Sequence, residues 1–350
     1  MRDILGTLER WAGEGIAVAI GSVIERIGSA PRDPGAALAV SATGEVAGSV
    51  TGGCVEPAVI REATEVLNGG RGRICRYGLT DDEGFDVGLT CGGSIAVAVY
   101  PLDPSLVRPL GEAVAADRPV AVSVRLAEER FGEMRLVSAA DASAGGDVDG
   151  VEAAARSLLE LGESGIVETA DGELVFVESF APRPDLYLFG ASDHVAALVT
   201  VGKLLGYRVT VCDPRATFLT RERFPDADEL AIEWPDRFLE RAPIDARTAI
   251  CMMTHDLKFD VPALKRALAS SAGYIGAIGS EKTRTEREAR LRAEGVGEAD
   301  LARLHAPIGI QIGARTPEEV AVTIGAQLIE SNVIARAKRV TSVAHATVLS

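Results

Sequence analysis

The stretch from Leu186 to Asp213 constrains the fold more than any other part of the chain. Leu186-Tyr187-Leu188-Phe189 is a short unbroken apolar run that meets Gly190-Ala191-Ser192-Asp193-His194. A helical pattern from Val195 to Leu205 follows, closed by Gly206, and a β-branched run from Arg208 to Cys212 stops on Asp213. Apolar strands separated by a helix-length crossover belong in a parallel sheet covered on both faces. The alternation continues at Thr248 to Met253, Val261 to Leu268 and Tyr274 to Ile278, so a Rossmann-like α/β domain is expected over residues 185–335. Asp213 falls about 20 positions past the glycine turn, where an acidic residue accepts a ribose hydroxyl in dinucleotide sites. The glycine fingerprint itself is incomplete, with Gly190 at its first position and Ser192 and Val195 at the others. Serine adds a side chain where backbone approaches pyrophosphate, and valine holds the helix away from the sheet. The helix N-terminus still offers its amides to an anion, and Asp213 is equally placed to be an N-cap or a turn residue ahead of Pro214.

The preceding half reads differently. A helix at Ile4 to Glu14 leads into a strand-like run from Ile16 to Ile27, a Gly/Pro-rich break at Gly28 to Gly35, and short strands at Ala36 to Ser41 and Val46 to Val50 around a Thr43-Gly44 turn. Pro57 suits a first helical position, with Ile60, Ala63, Thr64 and Leu67 on one face and Asn68-Gly69-Gly70 as the stop. Strands follow at Arg73 to Tyr77 and Ser94 to Tyr100, then a hairpin over 119–138, a Ser/Gly/Asp-rich loop from Asp141 to Gly150, and a helix from Val151 to Leu161. A second hairpin turns at Asp171-Gly172, ahead of the linker Ala181-Pro182-Arg183-Pro184. These elements imply an N-terminal mixed α/β domain over 1–180, the Rossmann-like domain, and a tail over 336–350.

Two cysteines in the first domain stand out because glycines flank them: Gly52-Gly53-Cys54 just before the helix at Glu56 or Pro57, and Cys91-Gly92-Gly93 just before a strand. Adjacent glycines let backbone come close to a ligand, and a helix N-terminus favours the thiolate form of a cysteine placed there. A small core cysteine beside a tight turn accounts for either one alone. The remaining cysteines, Cys75, Cys212 and Cys251, have no zinc-knuckle or thioredoxin spacing. Fifty-one acidic residues against thirty-six basic ones give a net charge of −15, which disfavours nucleic acid and anionic membranes. With no apolar run approaching the roughly 20 residues of a membrane span and no signal-like N-terminus, a soluble cytoplasmic protein is expected.

His255-Asp256 follows the strand ending at Met253, at the carboxyl end of the sheet where open α/β folds bind ligands, although a solvent-facing loop histidine reads the same way. Ser280 is placed to cap the helix after it, and Thr316-Pro317-Glu318-Glu319 is a capping box. Arg215 and Arg315 could each meet a phosphate or a carboxylate, a role most exposed arginines do not have. Nucleophile elbows, His-Glu-x-x-His and phosphate loops ending in Gly-Lys-Ser/Thr are all absent, so hydrolase and kinase readings find no support.

Gly28-Ser29-Ala30-Pro31, Gly48-Ser49-Val50-Thr51-Gly52-Gly53-Cys54-Val55-Glu56, Gly88-Leu89-Thr90-Cys91-Gly92-Gly93 and Pro307 to Glu319 together resemble the XdhC/CoxI family, the xanthine dehydrogenase accessory factors. The resemblance runs in order along nearly the whole chain. It implies a chaperone rather than a catalyst, one that binds the molybdenum cofactor (molybdopterin). Such a protein protects the cofactor while a cysteine desulfurase supplies its terminal sulfur, and hands it to a xanthine dehydrogenase-type or carbon monoxide dehydrogenase-type client.

By the same resemblance, cofactor handling falls near Cys54 and Cys91, with Gly52, Gly53, Glu56, Gly92 and Gly93 beside them. The two thiols would serve as molybdenum ligands or a sulfur relay and would face one pocket near the Rossmann cleft. The Rossmann candidates are Gly190, Ser192, His194, Asp213 and His255. Many members carry Gly-Ala-Gly-His where this chain has Gly190-Ala191-Ser192-Asp193-His194, a departure that weakens dinucleotide binding. A homodimer is expected. Two other readings remain open: an NAD(P)-dependent oxidoreductase resting on Gly190 and Asp213, and a regulatory or structural protein that binds a partner without any cofactor through an exposed apolar patch.

Overall fold

The computed structural model describes residues 1–29, 32–78, 93–138 and 150–348, with side chains described as far as 332. It divides into two compact units, Met1–Pro182 and Arg183–Ser350.

The first unit runs α1 (Leu5–Gly13), β1 (Val18–Ile27), β2 (Ala37–Ser41), β3 (Val46–Gly48), α2 (Glu56–Leu67), β4 (Arg73–Tyr77), β5 (Ser94–Pro101), α3 (Pro104–Ala115), β6 (Val120–Arg125), β7 (Met134–Ser138), α4 (Val151–Leu161), β8 (Gly165–Glu168) and β9 (Leu174–Phe180). Its strands form two antiparallel sheets, ordered β3-β2-β1-β5-β4 and β7-β6-β9-β8. Strand alternation distributes their side chains. Ala96, Ala98 and Tyr100 of β5 join Leu8 and Trp11 of α1, Val107 and Leu110 of α3, and Val122, Val124 and Phe176 of the smaller sheet in one core. Val97 and Val99, one residue out of phase, pack with Val59 and Ala63 of α2 on the opposite face. Ala121, Val175 and Val177 likewise meet Ala155 of α4 behind the smaller sheet. Each fully buried Val, Leu or Phe among these contributes about 1.5–3 kcal/mol of transfer free energy.

The second unit runs β10 (Asp185–Phe189), α5 (Asp193–Leu204), β11 (Arg208–Cys212), β12 (Glu229–Ala231), α6 (Pro235–Arg241), β13 (Ala249–Met252), α7 (Leu257–Leu268), β14 (Tyr274–Ala277), α8 (Glu281–Ala293), α9 (Glu298–Leu301), β15 (Leu304–His305) and α10 (Pro317–Val348). All six strands are parallel, in the order β12-β11-β10-β13-β14-β15. Numbered within the unit this is 3-2-1-4-5-6, the doubly wound dinucleotide-fold order. Leu186, Leu188, Val209 and Cys251 face Val195 and Leu198 of α5 and Ile324 and Leu328 of α10. Tyr187, Phe189, Ile250 and Met252 face Phe238 of α6 and Leu264 and Leu268 of α7.

The α/β character expected from the sequence is present in both units. Some boundaries differ for local reasons. Helix α5 begins at Asp193, two residues earlier than its apolar periodicity, because Ser192 in extended backbone is already its N-cap. Val195 is fully buried, and the close approach of α5 to the sheet occurs two turns later at Gly202, where an added Cβ would lie 2.5 Å from Leu186 Cδ2 and 3.1 Å from Val209 Cγ2. Residues 336–348, read as a tail, continue helix α10. The loop from Asp141 lies outside the described residues as far as 149. No helix among the described residues is long and apolar enough to cross a membrane.

Candidate functional site

Cys54 sits on the loop between β3 and α2, and it is exposed. The loop has a built geometry. Glu56, the first residue of α2, folds its carboxylate back over the preceding turn. Its Oε1 accepts from Ser49 Oγ (2.6 Å) and from the amides of Val50 (3.2 Å), Thr51 (2.8 Å) and Gly52 (2.9 Å). Its Oε2 accepts from Thr51 Oγ1 (2.8 Å) and the amides of Gly53 (2.9 Å) and Val55 (3.1 Å). The Cys54 amide donates to Thr51 Oγ1 at 3.1 Å. The Glu56 carboxyl group is held well below the ordinary range: burial would raise it, and the hydrogen bonds led by the Ser49 hydroxyl and the Thr51 amide outweigh burial.

Gly52 and Gly53 adopt φ of 96° and 134°, and a Cβ on either would meet nothing within 4 Å. Their requirement is therefore backbone conformation rather than lack of room. Val50 and Val55 anchor the two ends of the loop in the core under α2. The result is an exposed cysteine on a turn that the chain's own carboxylate clasps. Glu56, picked out as a binding residue by resemblance, has both oxygens committed to this clasp. The sequence signal for that lay in Ser49 and Thr51, hydroxyl donors seven and five positions ahead of an acidic residue. Cys91 and Gly92 lie outside the described residues; Gly93 is buried at the entrance to β5. Among the described residues there is no group of three or more His, Cys, Asp or Glu able to hold a metal.

Cys75, Cys212 and Cys251 are buried. Desolvation pushes the Cys212 and Cys251 thiols far above their ordinary value, which disfavours the reactive thiolate, and Cys212 Sγ donates to the Glu233 carbonyl at 3.4 Å.

In the second unit the strand order reverses between β10 and β13, and a cavity of about 760 Å3 opens there, at the carboxyl ends of the strands. Gly190, Ser192, Asp213 and His255 all line it. His194, half-buried in the first turn of α5, is not in its wall. Gly190 turns at φ 115°, with Thr254 Cγ2 3.0 Å and the Met253 carbonyl 3.3 Å from where a Cβ would be, so a side chain there is excluded by conformation and by space. Ser192 makes no side-chain capping bond to α5. Asp213 is buried, and both its oxygens are engaged by Arg215: Oδ1 accepts from the backbone amide (2.9 Å) and Nε (3.0 Å), Oδ2 from Nη2 (2.8 Å). It is thus a turn residue and half of a forked ion pair at once. The exposed Arg215 guanidinium lies 4.9 Å from the Phe218 ring.

His255 stands exposed at the rim, and Asp256 caps α7 by accepting from the Lys258 amide at 3.0 Å. Pro235, Leu257 and Phe259 supply an apolar wall, with the exposed Trp234 ring 4.8 Å from that of Phe259. Beneath the cavity lies an arrangement that sequence reasoning missed. Buried Asp260 of α7 accepts from Thr254 Oγ1 and from Arg287 Nε (3.1 Å) and Nη2 (2.7 Å), and Arg287 Nη2 also donates to the Ile278 carbonyl (2.9 Å). An aspartate and an arginine 27 residues apart on two different helices carry no local sequence signature. A shallower groove of about 440 Å3 is lined by Ile312 and Val322, both exposed, near the start of α10.

Residues 11–78 match the XdhC and CoxI family, and residues 186–328 match the XdhC Rossmann domain. The chain is 28% identical to the molybdenum cofactor insertion chaperone PaoD of Escherichia coli (strain K12), over 92% of this chain and 87% of that protein. It is 24% identical to a protein of Bacillus subtilis (strain 168) described as a probable xanthine dehydrogenase subunit, over 89% and 92% respectively. A crystal structure of a xanthine dehydrogenase from Bacillus halodurans superposes with a TM-score of 0.66 at 27% identity, covering 93% of this chain and 95% of that one. The Cys54 loop lies within the first matched segment and the cavity within the second, and with relatives aligned along nearly their full length the chain belongs to the XdhC/CoxI family.

Proposed function

We propose that this protein is a molybdenum cofactor-binding chaperone that presents Cys54 to the cofactor, guards it while a cysteine desulfurase installs its terminal sulfur, and delivers it to a client of xanthine dehydrogenase or carbon monoxide dehydrogenase type. The observation that carries the reading is the exposed Cys54 thiol on a turn clasped by Glu56. Molybdenum takes soft sulfur donors, and a thiol whose loop is already ordered loses little further conformational freedom on ligating it. The open faces of Gly52 and Gly53 leave room for a flat pterin beside the sulfur. The similarity to an insertion chaperone supports the same role. Cys91 acts with Cys54 in this reading, as second ligand or relay thiol, in a cytoplasmic homodimer.

The test is anaerobic titration of the purified full-length protein with released molybdenum cofactor, beside the Cys54→Ala and Cys91→Ala variants. Saturable binding by the parent protein, weakened about tenfold or more in Cys54→Ala, is the expected result for loss of a metal–thiolate bond. Undiminished binding and delivery by both variants would sink the reading. A nicotinamide-dependent oxidoreductase has the cavity between β10 and β13 in its favour; it requires hydride transfer to be detectable spectrophotometrically with a reducible substrate.

A further inference from the structure

The cavity of the second unit has an unusual charge at one position. In dinucleotide sites of this strand order, the acidic residue at the end of the second strand accepts from ribose hydroxyls, and it needs open lone pairs to do so. Asp213 occupies that place, but three donors of Arg215 already engage both of its oxygens at 2.8–3.0 Å. The group that faces outward there is a guanidinium, with side-chain exposure of 54% against 2% for the aspartate. A planar cation held in a fixed fork and backed by a buried carboxylate recognises a phosphate far better than a hydroxyl. The rest of the cavity suits a nucleotide. Gly190 brings backbone to the head of α5, the Ser192 hydroxyl is uncommitted to capping, and Pro235, Leu257 and Phe259 provide an apolar surface for a base. Lys258 and His255 add cationic or polar character at the rim, and Asp256 is turned to its own helix.

We infer that the cavity between β10 and β13 binds a nucleotide whose ribose bears a 2′-phosphate, of the NADP class, with Arg215 reading that phosphate. The inference is independent of the cofactor role of Cys54, since every residue it uses belongs to the second unit. Asp213 is a positioning residue in it: it holds the guanidinium and does not touch the ligand.

Calorimetric titration of the full chain with NADP+, NAD+ and adenosine 2′,5′-bisphosphate tests it. NADP+ is expected to bind about tenfold or more tightly than NAD+, the ratio that one charge-assisted contact supplies, and adenosine 2′,5′-bisphosphate is expected to compete with it. Arg215→Ala, a change at an exposed side chain, is expected to bring NADP+ down to the affinity of NAD+, with Arg215→Lys in between. Equal or tighter binding of NAD+, a preference that survives Arg215→Ala, or no binding of either dinucleotide at millimolar concentration overturns the inference. Cys54→Ala is expected to leave all three titrations unchanged. A failure here with intact molybdenum cofactor binding would therefore count against the nucleotide site alone.

Discussion

Glu56 shows how much one side chain can organise. Seven donors converge on its two oxygens, all from the segment Ser49 to Val55. Glutamine in its place keeps the volume, but turns one acceptor into a donor that faces other donors. Glu56→Gln is expected to lose about 1–3 kcal/mol, the range for leaving buried partners unsatisfied, in urea unfolding, and to accelerate amide exchange at Val50 to Val55. The pH dependence follows from the depressed carboxyl value. A folded value below the unfolded one means that the clasp contributes fully above the ordinary glutamate value of about 4.3, and is lost only as pH falls through the lower folded value. Exchange protection of the loop is expected to persist at pH 4 in the parent protein, and the variant is expected to lack that acid-dependent loss. Protection that vanishes in the parent at pH 5 would show that the carboxylate does not hold the turn.

At the scale of elements, the pairing of α7 with α8 rests on Asp260 and Arg287, both essentially excluded from solvent. Removing one member of such a pair strands the other, so Arg287→Met is expected to cost about 3–5 kcal/mol, and adding Asp260→Leu is expected to recover most of that loss. Thermal unfolding of the single and double variants distinguishes this from simple additivity. The contact of α5 with β10 and β11 depends on Gly202, where a valine side chain would enter space held by Leu186 and Val209; Gly202→Val is expected to destabilise by about 1–3 kcal/mol through overpacking, read in the same experiment.

These elements also show what the sequence makes legible. Strand β10, helix α5 and strand β11 follow from apolar runs and a glycine turn, and the capping box at Thr316 and Glu319 forms as its spacing implies, with Arg315 and Thr316 amides on Glu319 Oε2 at 2.7 and 3.2 Å. Local periodicity and hydrogen-bond spacing encode such features directly. The fork of Arg215 on Asp213 was not legible, although the two residues are only two apart, because it goes with the burial of Asp213 at the end of β11, where its amide donates to the Ala231 carbonyl of β12. Gly202 was unremarkable for a similar reason: a glycine inside a helical pattern gives no sign of what lies across from it.

For the molecule as a whole, the two units hold separate cores, which among the described residues form three apolar clusters in Met1–Pro182 and two in Arg183–Ser350. Units with their own cores fold alone in general. A fragment comprising residues 183–350 is accordingly expected to unfold cooperatively on heating and to retain whatever nucleotide affinity the full chain has; a fragment that expresses only as a molten or aggregated species would show that the division is not one of stability. The side-chain hydrogen bonds inside the Cys54 turn span at most seven positions along the chain and close with little loop entropy. The turn is tied to the rest of its unit at the ends, where the Ser49 amide donates to the Ala37 carbonyl at 3.0 Å and Val50 and Val55 sit in the core under α2. Carried to the head of a helix in an unrelated scaffold, residues 49–56 would therefore keep this shape only where that scaffold supplies a neighbouring strand carbonyl and two apolar sockets.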